Sequence, residues 1–402
     1  MRRAAILCVE DAKQMARRRV PKAFYDYVDT GSWTESTYRS NEEEFNKIKF
    51  RQRVLIDVST RSTKARVLGE ECAMPVALSP CGFGGMMWPN GETHAARACE
   101  KFGIPFALST MSINSIEDVA AGTTKPFWFQ LYVMRDKGFV KNLISRAKAA
   151  KCSALILTAD LQVLGQRHKD IRNGLTLPLR LELQSVLDVV SKPAWCIRQL
   201  SSKRWNFGNI VGHYPGADSV LSLSHFTSSQ FDTALSWKDV EWIKSHWGGK
   251  LIIKGIMDPQ DAKLAYLHGA DAIVVSNHGG RQLDGAPPSL AALTKCVEEV
   301  GGKMEVYLDG GVRSGQDVLK AKALGANCAM IGRPWLYGLA CGGEEGVTNI
   351  LEIVRKELDI TLGFCGITDI NDVKGRGILL SSEESCVLKQ EACDHRHGIS
   401  KG

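Results

Sequence analysis

The chain has no run approaching the roughly 18 uninterrupted apolar residues that a membrane-spanning helix requires, so no such span is expected. It has no C-x-x-C pair. Its 12 cysteines are scattered from Cys8 to Cys393, which argues against a disulfide framework and against a clustered metal site. Reduced thiols in a cytoplasmic protein are the expectation, with no metal ion. The basic start, Met1–Lys13, has too short an apolar stretch for a secretory signal, and acids follow at once. Charge of one sign is not concentrated either. The net +7 comes from 51 Lys and Arg against 44 Asp and Glu, spread along the chain, which is poor evidence for a nucleic-acid partner. With 402 residues, 44% hydrophobic and 24% charged, the composition excludes a collagen-like or mostly disordered chain.

What the chain does have is rhythm. From residue 75 onward, short Val/Ile/Leu-rich runs alternate with longer amphipathic segments, the pattern of repeated βα units on a parallel sheet. The runs are PVALSP (75–80), IPFALS (104–109), FWFQLYV (127–133), SALILTAD (153–160), KLIIKGI (250–256), DAIVVSNHG (271–279), EVYLDGG (305–311) and CAMIGRP (328–334). They are apolar throughout rather than alternating, as strands covered on both faces should be. Eight units close a barrel. A doubly wound open sheet is the alternative, but SPCGFGG (79–85) is a poor match to the G-x-G-x-x-G phosphate turn it would want. The predicted fold is α/β, a (β/α)8 TIM barrel over 75–374. An N-terminal helical extension (1–74) precedes it, a long insertion (161–237) follows strand four, and a polar, partly disordered tail (375–402) ends it.

In such a barrel chemistry collects at the C-terminal ends of the strands. SNHGGRQLDGAPPSL (276–290) places His278 and Arg281 there in a Gly-rich loop. An imidazole accepts a proton near neutral pH, and a guanidinium clamps a carboxylate, so the pair suits a small acid that loses a proton. TADLQVLGQRHKD (158–170) adds Asp160, placed to stabilise an imidazolium, and Arg167, a second carboxylate clamp. A helix cap and a solvated loop charge are the plain alternatives for these two. LDGGVRSG (308–315) and IGRP (331–334) follow the last two strands and read as a phosphate cradle, with tight turns and surface arginines as the alternative.

SNHGGRQLDG, LDGGVRSG and IGRP together resemble the FMN-dependent L-2-hydroxy acid dehydrogenase and oxidase family, from YDYVDTG (25–31) to about residue 370. The resemblance is strongest to bacterial flavin L-lactate and mandelate dehydrogenases, and it implies FMN as cofactor. It implies His278 as catalytic base, Asp160 as its partner, Tyr27 and Tyr132 against the substrate, and Arg167 and Arg281 on its carboxylate. FMN would meet backbone at Pro80, Cys81 and Gly82, and side chains of Ser109, Gln130, Thr158, Lys254 and Ser276. Its phosphate would sit on Asp309, Gly310, Gly311, Arg313, Gly332 and Arg333. Lys254 also has a physical argument, since a fixed cation beside a reduced flavin stabilises its negative charge. An aldolase-type Schiff base is the other use of such a lysine.

Two positions depart from the family pattern. Cys81 replaces a usual threonine, and Met111 stands where glycolate-oxidising members carry tryptophan; with Gly82 this predicts a roomy substrate pocket and L-lactate rather than glycolate. In the insertion, basic residues outnumber acids eight to three over 161–211, interleaved with Trp195, Trp205 and Phe207. That mixture predicts docking on the inner face of the cytoplasmic membrane, with electrons passing to a quinone or cytochrome. A lid with its aromatics packed inward is the alternative. A homotetramer is implied by the resemblance. An L-mandelate dehydrogenase, an O2-using oxidase, another FMN barrel such as an isomerase, and a non-catalytic flavin or membrane scaffold stay open.

Overall fold

Eight parallel strands occupy the eight apolar runs: β1 Val76–Leu78, β2 Ala107–Ser109, β3 Trp128–Leu131, β4 Ala154–Thr158, β5 Lys250–Ile256, β6 Ala272–Val275, β7 Glu305–Asp309 and β8 Cys328–Ile331. Each pairs with its chain neighbour, and β8 returns to β1. The ring closes between β1 and β2 through the Leu78–Phe106 bridge and a 3.0 Å bond from Leu78 N–H to Pro105 O. The expected TIM barrel is therefore what folds. In this computed structural model the described residues are 6–174, 183–202, 204–214, 231–374, 377 and 379–380.

Helices form where start and stop signals frame an amphipathic segment. Asp136, Asp258 and Ser314 each accept a hydrogen bond from a first-turn N–H of the helices Lys137–Ala149, Pro259–Leu267 and Gly315–Ala323. The helix Gly91–Phe102 ends on Gly103, whose φ of +80° a side chain would resist. Inside the barrel, small and large residues alternate. Ala77, Ala107, Ala154 and Ala272 leave room for Trp128 and Tyr307, whose rings stack 6.0 Å apart.

The N-terminal segment reads as mostly helical, and helices Val9–Arg19, Lys22–Val28 and Ser36–Lys47 form there. Pro21 separates the first two, because a proline lacks the N–H that a continuous helix would use. The segment also holds a hairpin, Ala65–Val67 with Glu70–Cys72, which the sequence reading did not anticipate. Val67, Leu68 and Cys72 plug the barrel at the N-terminal ends of its strands, tied by a 2.9 Å bond from Leu68 N–H to Glu305 Oε2. Stability is built at that end, which leaves the opposite rim for chemistry. The expected tail lies outside the described residues except for residues 377, 379 and 380.

Candidate active site

The loop after β6 turns sharply. His278, Gly279 and Gly280 have φ of +59°, +64° and +72°, three successive left-handed residues. For a histidine this costs on the order of 1–3 kcal/mol and persists only where surroundings enforce it. Three bonds enforce it: His278 N–H to Ser276 Oγ at 3.1 Å, Gly280 N–H to Asn277 Oδ1 at 3.1 Å, and His278 Nδ1 to Asp160 Oδ1 at 2.9 Å. A carboxylate only accepts, so Nδ1 carries the proton and Nε2 is left as the acceptor of the neutral ring. Burial holds the imidazole below its ordinary pKa. Asp160 pulls the other way, while Lys254 and Arg281 push further down. The ring is thus neutral near pH 7. Burial would raise Asp160, but His278 and Lys254 outweigh it and keep it ionised.

Asp160 can stand so close because β5 carries a glycine. At Gly255, φ +103°, an added Cβ would meet the Asp160 side chain at 2.7 Å. The β5–β6 register also shifts between Lys254 and Ile256. The residue pair Lys254–Gly255 thus delivers a cation to the rim and clears space for the carboxylate.

Lys254 is buried and already engaged. Its Nζ donates to Ser276 Oγ and to Asp309 Oδ2, both at 2.9 Å. Asp309 also accepts from Ser79 Oγ and Ser276 Oγ, both at 3.2 Å. Gln130, in β3, accepts from Ser109 Oγ at 3.1 Å and donates to Thr158 Oγ1 at 2.9 Å, so these three form one polar band.

The two arginines differ. Arg167 Nε already holds Asp170 at 2.5 Å. Arg281 is half-buried in the cavity wall, donates to the Tyr27 carbonyl at 2.6 Å, and has no carboxylate within ion-pair distance among the described residues. A partly desolvated guanidinium without a counter-charge is an anion acceptor, because its desolvation cost is recovered when a negative charge arrives. Tyr27 lies between them, its ring centre 4.8 Å from the Arg281 guanidinium carbon and 5.7 Å from that of Arg167. Tyr132 packs edge-on against Phe231, and burial pushes its phenol up, so it stays protonated and able to donate.

A cavity of about 940 Å³ is lined by Tyr27, Pro80, Cys81, Gly82, Ser109, Tyr132, Arg167, Lys254, His278, Arg281, Asp309, Gly332 and Arg333, whereas Asp160, Gln130, Thr158 and Ser276 do not line it. That volume is at the upper end for a cofactor site and suits a mononucleotide with a small acid beside it. A buried cation, Lys254, lies at one part. At another, Arg333 spends Nε and Nη2 on the carbonyls of Val28, Thr30 and Gly279, leaving Nη1 for an anion. Gly332 has no neighbour closer than 3.4 Å to an added Cβ. The residues present fit FMN.

Several expectations change here. Gly310, Gly311 and Arg313 do not line the cavity. An added Cβ on Gly311 would meet Asn41 O at 2.0 Å, and one on Gly310 would meet Ser289 Oγ at 3.0 Å, so on their Cβ side these glycines admit protein. Arg313 is turned to Glu42 at 2.7 Å. Asp309 faces Lys254, where its carboxylate would repel a phosphate. Nor does Gly82 open a lobe, since the place of its Cβ is filled by Met111 O at 2.8 Å and the Tyr27 hydroxyl at 3.3 Å. Cys81 is a neutral wall, because burial, with Asp309 adding, pushes its thiol up to about 12.

The insertion folds partly inward. Trp195 donates to Met86 O at 2.8 Å and stacks on Phe24, while Phe207 packs edge-on against Phe83, which itself leans on Tyr27. Trp195 and Phe207 are therefore core, and only Trp205 of the three is half exposed. Arg204 pairs with Asp118 at 2.5 Å, and Arg198 lies over the Trp88 ring. Lys203 lies outside the described residues. Other exposed apolar groups of the insertion include Leu187 and Val190 on the helix Leu183–Val190, then Ile197 and Leu200. Sequence reading missed Ser79, Phe83 and Asn41. Ser79 alone had a signal, a polar residue at the end of a strand.

Fold and rim define a barrel enzyme that holds a large cofactor beside a histidine–aspartate pair and an unpaired arginine. The family follows from comparison: residues 16–379 match FMN-dependent dehydrogenase, and the chain belongs to that family. It is an FMN-dependent oxidoreductase. It is 42% identical over 385 residues to an L-lactate dehydrogenase of Acinetobacter baylyi, covering 94% of this chain and 96% of that protein. It is 41% identical over 378 residues to an L-lactate dehydrogenase of Haemophilus influenzae, covering 93% and 98%. The crystal structure of the monotopic membrane protein (S)-mandelate dehydrogenase superposes with TM-score 0.89 at 35% identity, over 94% of this chain and all of that one. A mandelate oxidase with (S)-4-hydroxymandelic acid superposes with TM-score 0.81 at 33% identity, over 93% and 98%.

Proposed function

We infer that the chain oxidises an L-2-hydroxy acid, L-lactate foremost, to the 2-oxo acid. One observation carries this reading: the neutral, aspartate-bound His278 and the unpaired Arg281 face the same cavity. Arg281 takes the substrate carboxylate, with Arg167 beside it as the weaker clamp. Tyr27 and Tyr132 orient the carboxylate and hydroxyl, and His278 Nε2 receives the hydroxyl proton. The resulting imidazolium is stabilised by Asp160, whose second oxygen is buried without a partner. Ser109, Lys254 and Arg333 would hold FMN, which when bound would accept the two electrons.

A larger acid such as L-mandelate is the second reading, favoured by the aromatic wall of Phe83 and Phe207. A quinone or cytochrome takes the electrons onward, and Leu187, Val190, Ile197 and Leu200 dock the insertion on the inner face of the cytoplasmic membrane. The protein works as a homotetramer. Anaerobic addition of L- and D-2-hydroxy acids to purified protein, followed by flavin absorbance, tests the reading. Bleaching by L-lactate supports it, and a flavin that no 2-hydroxy acid bleaches overturns it.

A further inference from the structure

Lys254 lies at the centre of a buried cluster that the proposed roles leave largely unexplained. Its ammonium has three N–H donors. One is on Ser276 Oγ and one on Asp309 Oδ2, each at 2.9 Å, which leaves one for a ligand in the cavity. Asp309 is fixed in turn by the hydroxyls of Ser79 and Ser276, at 3.2 Å each. These bonds come from the ends of β1, β5, β6 and β7, so four strands hold one ion pair in a single geometry. The side chains of Lys254 and Asp309 are 4% and 12% exposed, so water screens the pair little. Asp160 brings a second carboxylate to the same end. One lysine thus faces two acids, and the neutral His278 adds no positive charge.

This bears on the bound flavin. In sum, oxidation of the hydroxy acid breaks its Cα–H and O–H bonds and forms a carbonyl. Two electrons and the Cα–H proton go to the ring, and the hydroxyl proton goes to His278. The ring gains one negative charge, so the field at Lys254 sets how favourable its reduction is.

We propose that Asp309 is a positioning residue for this reaction: it fixes the Lys254 ammonium toward the flavin and offsets its charge, keeping the reduction potential low enough to pass electrons on to an external acceptor. The inference rests on FMN occupying the cavity. It also replaces a phosphate contact at Asp309 with an electrostatic one.

The test compares the parent with Asp309→Asn and Asp309→Glu, each loaded with FMN. It measures the midpoint potential against reference dyes at pH 7 and the Kd for sulfite, an anion that adds to electron-poor flavins. Asp309→Asn should shift the two-electron reduction equilibrium at least tenfold toward the reduced form, about 30 mV upward, and tighten sulfite at least tenfold. Asp309→Glu, which keeps the charge, should stay within about threefold of the parent. An unchanged Asp309→Asn, or equal shifts in both variants, overturns the proposal.

A second measurement needs no flavin. Denaturant unfolding of the apoprotein compares Asp309→Asn, Lys254→Met and the double variant. A charge pair requires the double variant to lose less stability than the sum of the two single losses, because each single change leaves one buried charge alone. Losses that simply add remove the pair from the account. A parent that holds no FMN would instead sink the functional reading on which the inference rests.

Discussion

Asn41 and Asn277 hold each other by two side-chain amide hydrogen bonds, each 2.9 Å, across 236 positions of sequence. Asn41 belongs to the helix Ser36–Lys47, and Asn277 precedes His278 in the catalytic loop. The Asn277 amide also accepts from Gly280 N–H and donates to Pro287 O, and Asn41 accepts from Ser289 N–H. A buried network with every member satisfied specifies one geometry. Asn41→Leu leaves the Asn277 amide short of partners, at about 1–3 kcal/mol. It should also lower the rate of flavin reduction by lactate as the left-handed turn at His278 relaxes. Urea unfolding and stopped-flow absorbance check this, and parental stability in the variant contradicts it.

His278→Gln should retain FMN and slow its reduction by roughly 10²–10⁴-fold, the usual contribution of a general base. The pH profile follows from the same group. The base must be neutral, and its folded pKa lies below the ordinary histidine value of 6.5. The rate of flavin reduction should therefore be flat above that value and fall only at more acid pH. Asp160 raises the histidine, so Asp160→Asn should move the acid limb lower still while reducing the plateau. An acid limb above pH 6.5 in the parent would falsify the assignment of His278.

Arg281 and Arg167 should not be equal. Arg281 has no carboxylate partner among the described residues, whereas Arg167 is committed to Asp170. A hydrogen bond to a charged group is worth about 1.5–3 kcal/mol, so Arg281→Lys should lower kcat/KM for L-lactate by roughly 10–100-fold. Arg167→Lys should cost less. The reverse order in steady-state kinetics would show that the carboxylate lies elsewhere.

Met111 and Gly82 meet in the wall of the cavity, which Phe83 and Phe207 also line. Met111→Trp adds volume beside that wall and should penalise larger 2-hydroxy acids more than glycolate. The parent should turn over L-lactate faster than glycolate. A panel of kcat/KM values decides it, and glycolate as the best parental substrate contradicts the pocket reading.

The exposed apolar groups and the buried tryptophan of the insertion should behave oppositely. Replacing Leu187, Ile197 and Leu200 together by Ser should release the protein from anionic vesicles with little change in stability or in flavin reduction by lactate. Trp195→Ala should instead destabilise the fold by about 3–5 kcal/mol, because its ring is packed on Phe24 and its N–H is bonded. Sedimentation with vesicles at low and high salt, beside denaturant curves, separates the two. Vesicle binding unchanged in the triple variant would move the membrane face elsewhere.

The barrel was legible because each βα unit is a local pattern repeated eight times. Parallel strands all point their C-terminal ends to one rim, so a polar residue ending an apolar run identifies itself. His278, Asp160, Lys254 and Ser79 share that property, although Ser79 went unread. Pairing across the rim is another matter. Asp309 and Lys254, or Asn41 and Asn277, lie 55 and 236 residues apart, and no local pattern records which strand end faces which. Asp309 sits beside the glycines of LDGGVRSG and reads as part of a phosphate loop. Only barrel closure reveals that its carboxylate meets a lysine from β5. Likewise the glycine pattern marks where the chain needs a missing Cβ, but not whether a ligand or Asn41 takes the space. Composition marked the insertion as basic and aromatic. Which of its apolar groups pack inward and which meet solvent was decided by the neighbours that Trp195 and Phe207 find on the barrel, contacts between residues far apart in sequence.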